Sequence, residues 1–181
     1  MDYTGSDSET RSQHIYGRRF QLCKSLLNYD YEDLILTCTQ CGIFCAACCG
    51  CPYKYDGSEE PCHHWPIVFT DGACSNNGRI GACAGVGIAF GATKGQQYSV
   101  PVSDIAIAAS DTTRTNQRAE LLAVWVALQR TRVDACSTVK HVANGRKELS
   151  RADGVECLII ATDSEYAVKG MTEWLPKWKV T

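Results

Sequence analysis

TNQRAELLAVWVALQR, residues 115–130, carries the strongest helical signal in the chain. Thr115 or Asn116 can cap its start, no Gly or Pro interrupts it, and Ala119, Leu122 and Val126 with Trp125 and Leu128 form a wide apolar stripe. Such a helix packs on a sheet, and strand-like runs lie on both sides of it. Upstream, IVFT (67–70) is a short β-rich run ending at Asp71-Gly72, and ACSNNG (73–78) supplies loop residues. ACAGVGIAF (82–90) reads as a second strand, GATKG (91–95) as a turn, and QQYSVPVSDIAIA (96–108) as a third strand whose Pro101 suits an edge or bulge. Downstream, CLIIATDS (157–164) reads as a buried strand ending at Asp163, and residues 165–174 begin another helix with Tyr166, Val168, Met171 and Trp174 inward. The order β-β-β-α-β-α predicts an α/β fold with a mixed sheet: an antiparallel meander, then a fourth strand parallel to the first.

Three acids fall at informative places in this pattern: Asp71 just past a strand, Glu120 in the first turns of the helix, and Asp163 just past the next parallel strand. The carboxyl ends of neighbouring parallel strands converge on one crevice, where sites form. Glu120 is flanked by Ala119, Leu121 and Leu122. A carboxylate in such an apolar turn needs a partner, because desolvating an unpaired charge costs several kcal/mol. A salt bridge to Arg114 or Arg118 would serve, and so would simple exposure. Taken together, three carboxylates on three elements suit a hard, oxygen-seeking cation such as Mg²⁺.

The blocks TDGACSNNG (70–78), TNQRAELLAV (115–124) and ATDSEYAVKGMTEW (161–174) resemble, in order and in element type, the three ordered blocks of the ribonuclease H family. The resemblance spans about residues 66–181. It implies a two-metal endonuclease that hydrolyses the RNA strand of an RNA/DNA hybrid, with Mg²⁺ as cofactor and Mn²⁺ as a substitute. Asp71, Glu120 and Asp163 match the family's metal-holding catalytic acids, with Gly72 beside them. Asn77, Asn116 and Gln117 match positions that touch the groove of the hybrid, Thr115 a contact to a DNA phosphate, and Cys74 a loop position in the same site. Turn formation and helix capping are the alternative roles for Asn116 and Thr115. The aromatic segment 174–178 resembles the start of a substrate-handling helix, with core packing as its alternative.

Two departures qualify the resemblance. Family members continue with a further strand, a loop bearing a histidine and a last helix carrying a fourth metal-holding aspartate. This sequence ends at Lys179-Val180-Thr181. The domain is therefore expected to be incomplete at its C-terminus. That opens a second functional reading, a catalytically impaired fragment that acts at most as a nucleic-acid- or protein-binding module. The other departure is an insertion at 131–154, polar and without clear period, which suggests a lid or an error in the gene model.

The 181 residues carry a net charge of −2, so a general positive field for nucleic acid is excluded and any such binding rests on a local patch. The basic run 130–151, with six basic against two acidic groups, is either that patch or a solvated loop. Cysteine is over-represented: twelve in all, eight of them between positions 23 and 62. Residues 1–14 are polar and without period, a disordered tail with no secretory pattern. An intracellular setting, cytoplasmic or nuclear and not secreted, is expected, where clustered cysteines read as ligands or thiols before disulfides. Residues 15–65 form a small Cys-rich N-terminal segment, in which Phe20, Cys23, Leu26 and Leu27 sit at helical spacing ahead of a short apolar run. Its two CxxC pairs, Cys38/Cys41 and Cys45/Cys48, followed by Cys49, Cys51 and Cys62-His63-His64, suit tetrahedral Zn²⁺ or are thiols without a metal. Residues 34–53 carry no charge over twenty positions, but their Thr, Gln, Gly, Pro and Cys content is poor for hydrocarbon, so no membrane span is expected. Oligomeric state is not legible.

Overall fold

A computed structural model describes residues 17–48, 61, 65–108, 113–131 and 158–178. The expected tail at 1–14, the later cysteines and His63-His64, nearly all of the insertion with its basic run, and the last three residues lie outside the described residues.

After two 3₁₀ turns come the strands β1 (Ile35–Thr37) and β2 (Phe44–Ala46), followed by β3 (Ile67–Ser75), β4 (Cys83–Ala89) and β5 (Gln97–Pro101). The helix α1 (Asn116–Thr131), the short strand β6 (Ile159–Ala161) and a helical segment from Glu165 to Trp178 complete it. The main sheet has four strands in the order β5-β4-β3-β6, antiparallel except for the parallel pair of β3 and β6. The expected β-β-β-α-β-α mixed sheet is thus present. Pro101 ends the edge strand β5, paired opposite Gly85, where its missing N–H breaks no interior ladder.

α1 covers one face of this sheet. Ala119, Ala123, Val126 and Ala127 are buried against Val68, Val86 and Ile88, with Phe90, Val102 and Ile105 closing the core. Each buried valine or isoleucine contributes about 1.5–3 kcal/mol relative to exposure. The alanines let the helix lie close to the strands. A Cβ at Gly72 would stand 2.2 Å from the Ala119 carbonyl carbon and the Glu120 nitrogen, so backbone meets backbone there. The expected stripe is corrected in part: Trp125 and Leu128 are each 38% exposed. Leu128 follows Ala119 by two and a half turns at about 3.6 residues per turn, which puts it on the opposite side of the helix.

Other boundaries also differ from expectation. β3 continues through Ser75 because Ala73, Cys74 and Ser75 keep pairing with Gly85, Ala84 and Cys83. The turn begins only at Asn76, whose φ is 51°. The third strand stops at Pro101, and the chain beyond it forms two 3₁₀ turns, Val102–Asp104 and Ala106–Ala108. There Val102, Ile105 and Ala108 are buried, a spacing of three that fits 3₁₀ geometry and not a strand.

The last helical segment is α2 (Glu165–Lys169), a widened π turn (Gly170–Trp174) and α3 (Leu175–Trp178). Within the π turn Thr172 Oγ1 donates to the Val168 carbonyl at 2.8 Å. Pro176, which has no N–H to continue the ladder, stands just past the π turn, after Leu175. Ala167 is the residue buried here, while Tyr166, expected inward, is 41% exposed and meets Trp174 edge-on at 5.2 Å.

The N-terminal segment holds a 3₁₀ turn at Lys24–Leu26 in place of the helix that its spacing suggested. β1 and β2 pair as an antiparallel hairpin that abuts the main sheet. Ile43 bridges to Gly91 and Cys45 to Pro66, Phe44 N–H donates to the Phe90 carbonyl at 3.0 Å, and Phe44 stands edge-on to Phe69 at 5.6 Å. Among the described residues no helix is long and apolar enough to cross a membrane.

Candidate active site

β3 and β6 run parallel with Phe69 opposite Ala161. Two residues further along stand Asp71 and Asp163, so the register itself brings these acids level, one within β3 and the other just past β6. Asp71 lies within β3, opposite Gly87, and not past its end as the sequence suggested. It stays exposed because alternate residues point to the sheet face that α1 leaves open. Asp71 and Asp163 line a groove of 840 Å³ on that face, with Phe69, Thr162, Tyr98 and Tyr31 of the N-terminal segment along its walls.

Glu120 arrives from α1. The backbone contact between Gly72 and Glu120 sets the helix against β3 beside Asp71, so buried Gly72 acts first as the seat of the helix. The half-buried carboxylate of Glu120 accepts a hydrogen bond through Oε2 from the Ser164 hydroxyl. It makes no ion pair with Arg114 or Arg118 among the described residues. Ser164, which the sequence reading passed over, is 4% exposed and caps α2 by accepting from the Ala167 N–H at 3.1 Å. Its position before a helix is a readable capping signal, but its partner Glu120 lies 44 residues away. Thr70, beside Asp71, is 5% exposed, and its Oγ1 has no hydrogen-bond partner among the described residues.

The loop after β3 is locked to the start of α1. Asn116 Oδ1 accepts from the Cys74 N–H at 2.7 Å, Asn77 Oδ1 accepts from the Asn116 N–H at 2.9 Å, and Gly78 N–H donates to the Arg114 carbonyl at 2.7 Å. Thr115 Oγ1 accepts from the Arg118 N–H at 3.3 Å, which makes it the helix cap. Cys74, Asn77, Thr115, Asn116 and the exposed Gln117 therefore stand together at one end of α1. With both amide oxygens engaged, the exposed side chains of Asn77 and Asn116 keep their NH₂ groups as donors.

Next to the acids, Glu165 and Lys169 form an ion pair at 2.6 Å. Its hydrogen bond to Lys169 holds the Glu165 carboxyl below its ordinary value, and the same bond holds the Lys169 ammonium above its own.

Among the described residues no three His, Cys, Asp or Glu side chains are grouped closely enough to hold a metal ion. For the acids, two carboxylates face the groove while the third turns to Ser164. The expected zinc set does not assemble among these residues either. Cys38 and Cys41 share a tight turn, with the Cys41 N–H 3.5 Å from Cys38 Sγ, whereas Cys45 is fully buried within β2, paired opposite Leu36, and Cys48 lies beyond that strand.

A mixed sheet with two acids level at a parallel strand pair and a third on the covering helix defines a class of carboxylate-bearing α/β domain. Comparison makes the class particular: the RNase H family profile matches residues 64–181, and the chain belongs to that family. It is 34% identical over 118 residues to Ribonuclease H of Schizosaccharomyces pombe, covering 65% of this chain and 33% of that protein. It is 32% identical over 113 residues to Ribonuclease H1 of Mus musculus, covering 62% and 30%. With Ribonuclease H of Cyanothece sp. it shares 37% over 112 residues, covering 62% and 53%. The chain thus spans about a third to about half the length of these relatives.

Proposed function

We propose that this chain carries the catalytic acids of a ribonuclease H, an endonuclease that cleaves the RNA strand of an RNA/DNA hybrid. The observation that carries the reading is the parallel register that sets Asp71 and Asp163 level at one groove, with Glu120 on the helix packed against β3 at Gly72. Their donor set is oxygen only and two of the three are exposed, which fits a hard divalent cation, Mg²⁺ or Mn²⁺. Asp71 and Asp163 would hold it from the groove side and Glu120 from α1, with the Gly72 carbonyl nearby. Bound there in pairs, such ions supply an activated water and charge compensation at the leaving 3′ oxygen.

The residues around the acids select and orient the substrate. The NH₂ groups of the exposed Asn77 and Asn116, with Gln117, would donate to 2′-hydroxyl oxygens in the shallow groove of a hybrid, the feature that distinguishes RNA from DNA. Thr115, at the helix start, would meet a DNA phosphate, and Cys74, whose N–H is held by Asn116, serves as no nucleophile. Because the amide oxygens of Asn77 and Asn116 are tied to backbone, those two amides have their polarity fixed before substrate arrives.

The test is a labelled hybrid incubated with the purified chain and Mg²⁺, beside Asp71→Asn. Cleavage of the RNA strand alone, lost by at least about 100-fold in the variant, is the expected result. Cleavage no greater than that of the variant would overturn the reading and favour an impaired, binding-only fragment.

A further inference from the structure

Glu120 reaches the site on a flexible side chain with two equivalent oxygens, and what chooses between them is Ser164. The serine is anchored at three points: its N–H donates to Thr162 Oγ1 at 3.2 Å, its carbonyl accepts from Val168 N–H at 3.0 Å, and its Oγ accepts from Ala167 N–H at 3.1 Å. A hydroxyl has one proton and two lone pairs. With a lone pair engaged by Ala167, the proton is committed to Glu120 Oε2. Burial keeps water from competing for it, since Ser164 is only 4% exposed. Oε1 of Glu120 has no partner among the described residues.

We infer that Ser164 is a positioning residue for the acidic site: its hydroxyl takes one oxygen of Glu120 and so sets the direction in which the other would be offered to a cation that Asp71 and Asp163 also hold. The inference rests on the function proposed above. Ser164 directly follows Asp163 in the chain, so one residue sets the place of one acid through the backbone and of another through its side chain. A serine that merely started a helix would need only the bond from Ala167.

Three substitutions separate the two roles. Ser164→Ala removes donor and cap, Ser164→Gly removes the donor but remains an acceptable cap, and Ser164→Thr keeps both. Calorimetric titration of the whole, substrate-free chain with Mn²⁺ is expected to show affinity about tenfold weaker in both the Ala and Gly variants, with recovery in Thr. Loss in Ala alone, with Gly like the unaltered chain, would reduce Ser164 to a cap and overturn the inference. The link itself is tested without metal, by thermal unfolding of Ser164→Gly, Glu120→Ala and the double variant. A smaller shift in melting temperature for Ser164→Gly when Glu120 is already Ala is expected, and additive shifts would overturn the inference. Absence of Mn²⁺ binding by the unaltered chain would count against the proposed function, whereas the unfolding cycle would still decide the Ser164–Glu120 link.

Discussion

Gly72 shows how much a single position can decide. The contact at 2.2 Å that a Cβ would make there is with helix backbone, which cannot rotate away as a side chain could. Gly72→Ala must push α1 off the sheet, and a loss of at least about 3 kcal/mol in urea unfolding is expected. Thr70 is the reverse case. Its buried hydroxyl has no partner among the described residues, so Thr70→Val removes an unmet polar group at nearly constant volume. Stability is expected to rise by about 1 kcal/mol in the same measurement, and a fall would indicate a polar partner such as a bound water. At this scale the sequence was informative where chemistry follows from local context. Asp71, Glu120 and Asp163 each stand beside a recognisable strand or helix signal, and the parallel register of β3 and β6 then brings Asp71 and Asp163 level. Ser164 and Thr70 were not legible, because what matters about each is a neighbour, or the lack of one, from a distant element.

Among the elements, α1 was placed within one residue of its observed start, since Thr115 announces the cap and the following residues are strong helix formers. Its buried face was read less well. An apolar stripe drawn from residue type favours Trp and Leu, while the observed contact uses alanines, because close approach to β3 leaves no room for larger side chains. β3 was drawn too short for a related reason: Gly72, Ala73 and Ser75 are weak strand formers held in line by β4.

The α2 ion pair has a pH dependence of defined sign. Glu165, held below its ordinary value by Lys169, contributes stability above the carboxylate range that is lost as pH falls through its lowered value. Lys169, held above its ordinary value, contributes below the ammonium range, and that is lost as pH rises through its raised value. NMR titration is expected to show the Glu165 carboxyl moving back toward its ordinary midpoint in Lys169→Met. An unchanged midpoint would show the pair to be open in solution.

Across the whole molecule, the boundary near residue 65 that composition suggested is crossed by hydrogen bonds. Phe44 N–H reaches the Phe90 carbonyl at 3.0 Å, and Gln96 Nε2 donates to the Cys41 carbonyl at 2.8 Å. Arg19 and Glu173 form an exposed pair at 3.1 Å between the N-terminal segment and the last helical one. Docking of this kind depends on tertiary fit, which no local period records. Phe44→Ala removes the hairpin's ring from Phe69, and because Phe44 is only half-buried, a loss of about 2 kcal/mol is expected, below that of a fully enclosed ring. A thermal scan showing no change would mean that the hairpin does not brace the sheet.

The strand order also fixes a schedule for synthesis. β4 follows β3 after a short turn and can pair with it at once, but the strand for β3's other edge, β6, begins only at Ile159. With chains growing at about 5–20 residues per second, that edge emerges roughly ten seconds before its partner. During that interval α1 can cover one face of the young sheet but not its open side. The central strand that bears Asp71 is therefore the place where a half-made chain is most exposed to pairing with a stranger, and where a chaperone would have the most to shield.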